Sequence, residues 1–363
     1  MRLPRTVAGT ILLAVVVASS CVETSSVASV ADLALHYAPV IYQDTDDSDT
    51  EADFITEFDY DRDYAGANNW DNLDSFRSSL HAAVYYSVVI APHHWYITYS
   101  FFHPRDWTDD VDSEHENDLE GALAIVARGG TYGRLEAMLT VYHLDFYSWT
   151  PNGSSATNGD EDIDGDLPIQ DVNGVPHPAL AIQAEGHGVK AFGETGNFDG
   201  SEGQDGVIYT PASSPDRADT LPGPPSADIK SAQYRLIDVF PTLWAAQMYE
   251  ARAASGPTFD HFGTFDGNDT DEDSCGDGIP VCNEDAANSP WGWDDHNDGS
   301  VYSGELALDP AHVAQVYFDG IAIDLSYRTN QYIWDLRNAG YDSDDLPEGW
   351  PDDLDIADLF TKI

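Results

Sequence analysis

Positive charge is scarce in this chain. Its 363 residues carry 15 Lys and Arg against 65 Asp and Glu, a formal net charge of −50, and only 3 of the basic residues are lysine. A polyanion would approach such a chain against a strongly negative field, which excludes nucleic acid as a natural partner. Cysteine is almost absent, with 3 in all, so no paired-cysteine zinc site is available. No apolar run after the first twenty residues approaches the roughly 18 needed to cross a bilayer. A phosphate-binding glycine loop and a Gly-x-Ser-x-Gly nucleophile elbow are both missing.

What is present begins with an export pattern. Arg2 and Arg5 precede an apolar run over 7–18, the length of a signal-peptide core. Ala18-Ser19-Ser20 then leads to Cys21. Small residues before a cysteine suit a lipoprotein signal peptidase, and acylation of that thiol gives a stable membrane anchor. The pattern predicts a signal peptide over 1–20, lipidation at Cys21 with a linker over 21–32, and a location on the cell envelope, at the outer membrane or the cell surface. Cys275 and Cys282 lie in a Gly/Asp-rich loop, and in an oxidising compartment they are expected to form one disulfide. Hydrophobic residues make up 42% and aromatic residues 12% of the chain, which argues against disorder. The excess of acid suits a high-salt, halophilic setting, where screening removes self-repulsion; a calcium-rich surface is the alternative.

Residues 33–363 read as one domain with insertions. Val, Ile, Tyr and Phe dominate 83–90 and 95–102, and Pro92-His93-His94 between them signals a hairpin. Residues 119–127 and 135–147 read as a second pair, and 179–192 as a further strand. The spacing of Ile229, Ala232, Leu236, Val239 and Leu243 predicts a helix over 228–252, kinked at Pro241.

The segment His115-Glu116-Asn117-Asp118-Leu119-Glu120 carries the most chemistry. On a strand beginning near Asn117, Asp118 and Glu120 share a face while Leu119 points to the core. Two carboxylates so placed can close on one cation, with His115 as a third ligand and Asp106, beside Trp107, as a fourth. One imidazole, several carboxylates and no thiolate select a hard divalent cation: calcium, magnesium or manganese. Alternation over 179–187 puts Glu185 and His187 on one face, and His143 pairs with Asp145 in the same way. Glu185, Glu116 and His187 are then candidates for a base acting on metal-bound water. A second ligand set reads Asp160, Asp162, Asp164, Asp166 and Asp171, with Gly165 at the turn position of a calcium loop. A third, weaker in pattern, runs from Asp294 to Glu305.

These residues resemble the necrosis-inducing (NPP1-type, Nep1-like) protein superfamily, whose heptapeptide reads Gly-His-Arg-His-Asp-Trp-Glu, and the related Vps62-type proteins with His-Glu-Gly-Asp-Trp-Glu. The aromatic run over 95–102, the opening over 37–42 and Glu185-Gly186-His187-Gly188 are also similar. The resemblance implies a β-sandwich and a divalent metal on His115, Asp118, Glu120 and Asp106. Asn117 and Leu119 depart from the family pattern, standing where it has His and Trp. Together the readings predict a mostly-β sandwich with long acidic loops and one or two helices. Its expected function is an exported lipoprotein that binds a glycan or lipid headgroup at a divalent-metal site. The alternatives are a metal-dependent hydrolase of ester or glycosidic bonds, and a structural surface lipoprotein with ion-fastened loops.

Overall fold

The computed structural model describes residues 28–46, 48–107, 114–193, 206–214, 219, 230–253, 256–267, 287–296, 301–341 and 356–363. Cys21, Cys275, Cys282 and the signal segment lie outside the described residues. So do 297–300 of the acidic set from Asp294.

Sixteen strands and seven α-helices make up the described fold. The strands are β1 (Val40–Asp44), β2 (Ala83–Ile90), β3 (His94–Asp106), β4 (His115–Ala127), β5 (Arg134–Tyr142), β6 (Asp145–Pro151), β7 (Thr157–Asn158) and β8 (Gly165–Leu167). They continue as β9 (Ile169–Val172), β10 (Val175–Ile182), β11 (Val189–Ala191), β12 (Gly206–Pro211), β13 (Lys230–Asp238), β14 (Phe259–His261), β15 (Thr264–Phe265) and β16 (Phe318–Asp319). The helices are α1 (Val30–Tyr37), α2 (Asn69–Phe76), α3 (Leu243–Ala253), α4 (Glu305–Leu308), α5 (Pro310–Tyr317), α6 (Gln331–Ala339) and α7 (Ile356–Thr361).

Twelve strands form one sheet in the order β11-β10-β1-β12-β13-β2-β3-β4-β5-β6-β8, with β9 paired on β10. The sheet curls until β11 packs on β5 and β4, so it is nearly closed and barrel-like. The protein is therefore mostly β, as its sequence predicts. The strands do not divide into the two sheets of a sandwich, and the helices number seven among the described residues rather than one or two. The reason lies in β3 and β4, each of thirteen residues and almost wholly buried. Strands this long twist and coil enough to carry the sheet back on itself.

The hairpin of β2 and β3 forms as expected, with Ile90 opposite Trp95 and Tyr85 opposite Ser100. The pair β4 and β5 also forms, and a tight turn at His143 and Leu144 then leads into β6, with Tyr142 opposite Asp145. Three expectations give way. The strand read over 135–147 breaks at that turn, with His143 in the left-handed region, so His143 and Asp145 do not share a strand face. Residues 230–238 are a strand, not the first half of a helix, and helix begins only at Leu243. Ala232, Tyr234 and Leu236 are buried there at period two, and β13 runs parallel to both β12 and β2. Apolar residues at 232 and 236 match either period, and the slot in the sheet decides between them. The strand expected over 179–192 stops at Ile182 and resumes at Val189, leaving a six-residue turn.

The loop between β1 and α2 is pinned to the sheet. Thr56 N–H donates to the Phe102 carbonyl at 3.0 Å, and the Tyr85 and Tyr209 hydroxyls accept from the Phe58 and Ile55 N–H groups. That pinning sets the position of Asp53, which is fully buried.

Candidate metal and ligand cleft

The cleft starts where β3 ends and β4 begins. Asp106 and His115 are register partners across this pair, and His115 Nε2 lies 3.5 Å from Asp106 Oδ2. Asp118 stands three residues further along β4. Asp106, His115 and Asp118 each turn one ligand atom into a common space, all within 4.8 Å of one another. Glu120 lies on the same wall, but its Oε1 accepts the His143 N–H at 3.0 Å, so it stands beside that trio rather than in it.

Asn117 breaks the expected alternation. Its φ is 64°, in the left-handed region that asparagine tolerates better than most residues. Its side-chain N–H groups donate to the Gly66 and Asp266 carbonyls, each at 2.9 Å. The turn in the chain sends Glu116 away from Asp118, to the start of α2, where it accepts the Trp70 N–H at 3.1 Å. Glu116 is therefore not among the residues that line the cleft.

Behind Asp118 stands His187, fully buried. Its Nδ1 donates to Asp118 Oδ2 at 2.7 Å, and its Nε2 lies 3.1 Å from Asp53 Oδ1. Asp53 also accepts the Asp46 N–H at 2.7 Å and the Glu185 N–H at 2.8 Å. Left-handed backbone at both Glu185 and His187 folds the 183–188 turn inward, which an extended strand would not do. His103 stacks flat on His187, with ring centroids 3.8 Å apart and planes 1° apart. Its Nδ1–H donates to the Asp53 carbonyl at 3.1 Å.

The electrostatics follow from burial set against these contacts. Burial opposes charge on Asp118, but the hydrogen bond and positive charge of His187 outweigh it and hold its pKa at about 2. Burial likewise opposes protonation of His187, yet hydrogen bonds to Asp118 and Asp53 raise its pKa to about 10. Burial pushes Asp106 up to about 7, with His115 offsetting part of the effect. Glu120 is pushed well up, first by burial and then by the nearby charge of Asp118. Burial keeps His103 neutral.

The front of the cleft is a cavity of about 720 Å³. Asp106, His115, Asp118 and Glu120 line it together with His143, Gln183, Glu185 and Trp293. The tautomer of His143 is fixed. Tyr142 O–H donates to Gln183 Oε1, so the Gln183 amide donates to His143 Nε2 at 2.9 Å and leaves the proton on Nδ1, 3.8 Å from Glu120. Trp293 is held by its indole N–H on the Leu119 carbonyl at 2.9 Å. Trp70 is less free to stack on a ligand, since the Arg105 guanidinium covers its ring at 4.6 Å.

The donor set fits a hard divalent cation. Asp106 Oδ1 and Glu120 Oε2 are buried and have no hydrogen-bond partner among the described residues, a costly state for carboxylate oxygens. Together with Asp118 and the single imidazole of His115 they supply oxygen-rich ligands and no thiolate. The acidic set over 160–171 is not brought together. Gly165, in β8, pairs with Trp149 of β6, and 169–172 form β9. Asp164 Oδ2 accepts the Ser148 N–H at 2.7 Å and Asp171 Oδ1 the Gly174 N–H at 2.8 Å, so these carboxylates are spent on turns. A second three-ligand group among the described residues is Glu305, Asp309 and His312, but Lys362 and the Tyr327 hydroxyl already hold Asp309.

Sequence reasoning missed Asp53 and His103. The one signal for Asp53 was its place at the end of an acidic loop, directly before the apolar pair Phe54-Ile55.

No protein-family model and no curated protein matches this chain. Solved structures match it in part. One, described as a toxin fold for microbial attack and plant defence, is 14% identical with a TM-score of 0.28, over 44% of this chain and 66% of its own length, just under two thirds. A second, NLPPya in complex with mannosamine, is 14% identical with a TM-score of 0.24, over 44% of this chain and 65% of its own. A third is necrosis and ethylene inducing protein 2 from the causal agent of cocoa's witches' broom disease, 15% identical with a TM-score of 0.25, over 46% of this chain and 70% of its own.

Proposed function

We propose that this protein is an exported, lipid-anchored binding protein whose cleft takes a polyhydroxylated ligand, a glycan or a lipid headgroup, through one divalent cation. The observation that carries the reading is the pair of buried carboxylate oxygens, Asp106 Oδ1 and Glu120 Oε2, that have no partner among the described residues and belong to side chains on the wall of an open cavity. Bound there, the cation would supply positive charge and open coordination positions for vicinal hydroxyls. Asp106, His115, Asp118 and Glu120 would hold it, and His187 orients Asp118 toward it. Gln183 and His143 lie at hydrogen-bonding positions on the rim, and Trp293 offers a flat apolar surface for a sugar ring. The anchor at Cys21 belongs to the same reading and rests on the sequence pattern at 18–21.

The double substitution Asp118→Asn with Glu120→Gln keeps shape and removes charge. Calorimetric titration with calcium, magnesium and manganese should show a cation bound by the parent protein and lost in the variant. A glycan array probed with and without chelator then reads the second step. Glycan binding that survives both chelator and the double substitution would defeat the proposal.

A further inference from the structure

A separate cavity of about 270 Å³ opens between α1, the β9–β10 hairpin and the end of β12. It shares no residue with the cleft described above. Its volume falls just under the roughly 300 Å³ at which drug-sized sites begin, which sets the scale of an occupant at about one ring.

His177 forms part of its lining and is only 4% exposed. Its Nδ1 lies 2.7 Å from the Ala38 carbonyl, so that nitrogen carries the proton. Burial lowers the pKa of His177, which keeps the ring neutral and leaves a lone pair on Nε2. Among the described residues Nε2 has no hydrogen-bond partner. Because His177 lines the cavity, this nitrogen can accept from a donor bound there. One wall is a parallel ring pair, His36 on Tyr132, with centroids 4.1 Å apart and planes 8° apart. Burial lowers the pKa of His36 as well, so this wall is uncharged. Leu35, Val172, Val175 and Pro211 make the rest largely aliphatic. Among the described residues no Lys or Arg lines the cavity, and the carboxylate at its rim, Asp32, repels anions.

We infer that this cavity is a binding site for a small phenol, a single apolar ring whose O–H donates to His177 Nε2. The flat walls favour a ring over a chain. The acceptor on His177 takes one donor, and the Asp32 carboxylate at the rim disfavours carboxylates and phosphates.

The test uses p-cresol and toluene, which share a shape and differ by the O–H, in ligand-observed NMR titrations of the whole protein. The parent protein should bind p-cresol saturably and at least about tenfold tighter than toluene. Val175→Trp, at a partly exposed position, fills the cavity and should abolish both. His177→Phe should bring p-cresol down to the level of toluene. No saturable p-cresol binding, equal binding of the two probes to the parent, or binding that survives Val175→Trp would each overturn the inference. Val175→Trp keeps the test decisive if His177→Phe does not fold.

Discussion

His187 and Asp118 are joined by a 2.7 Å hydrogen bond across 69 residues of sequence, and the far side of the same ring meets Asp53 at 3.1 Å. One imidazole thus serves two buried carboxylates that would otherwise face each other uncompensated. The arrangement fixes one oxygen of Asp118 and leaves the other for the cleft.

Replacing that ring tests its weight. His187→Leu takes the imidazole donor from Asp118 and leaves Asp53 with its two backbone donors only, and breaking a buried charged pair in this way costs about 3–5 kcal/mol. Urea denaturation should show a loss of that size. A loss under about 1 kcal/mol would mean that the two carboxylates do not depend on His187.

The raised carboxyls give a pH signature to the cation-free protein. Asp106 titrates at about 7 in the fold, against an ordinary 3.8, and Glu120 lies well above its ordinary 4.5. Between those values the folded chain holds protons that the unfolded chain has released, so stability falls as pH rises. A bound cation takes the place of those protons. The increase in Tm on adding a divalent cation should therefore be larger at pH 8 than at pH 5, measured by scanning calorimetry. An equal or opposite effect would place the cation elsewhere.

Asn117 separates backbone strain from hydrogen bonding. Asn117→Ala loses the two 2.9 Å bonds to Gly66 and Asp266 and also forces alanine to a φ of 64°. Asn117→Gly loses the bonds but accepts the backbone. Alanine should be the more damaging by about 1 kcal/mol, read from chemical denaturation midpoints. The opposite order would show that the left-handed turn carries no strain.

Net charge sets the salt response. At −50 the folded chain repels itself, while its few strong ion pairs, such as Arg77 and Arg105 with Asp49, are a small minority of its carboxylates. Screening shortens the Debye length to about 3 Å at 1 M. The Tm should rise from 0.1 to 2 M KCl, and a fall would show that the ion pairs outweigh the repulsion.

Much of this was legible in the sequence where local pattern and tertiary setting agree. The hairpin of β2 and β3 and the start of β4 follow from Val, Ile and Tyr content and from period-two alternation. The grouping of Asp106, His115 and Asp118 was read from their nearness in sequence and from the resemblance, and the structure adds that the first two are opposite one another across a single β-pair. Residues 230–238 were not legible, because their apolar spacing satisfies a helix as well as a strand. Glu116 shares the parity of Asp118, and only the left-handed backbone at Asn117 separates them. Asp53 was invisible, since nothing local marks which acid of an acid-rich loop is drawn inward. Single-sheet closure depends on the coiling of long strands, which composition does not express.

The placement of β13 also governs how the cleft comes into being. This strand alone bridges β12 and β2 by hydrogen bonds, and so joins the group around β1, β10 and β11 to the group from β2 to β8. His187 belongs to the first group, and Asp106, His115 and Asp118 to the second. Every one of these residues is synthesised before residue 230, yet the strand that unites the two groups within the sheet emerges later. A nascent chain halted at 229 would hold the four ligands on the β3–β4 pair and would lack the strand that seats the His187 group beside them. The cleft is thus a late product of long-range closure, the slowest kind of contact for a chain to make, and binding competence should arrive with the last central strand rather than with the residues that do the binding.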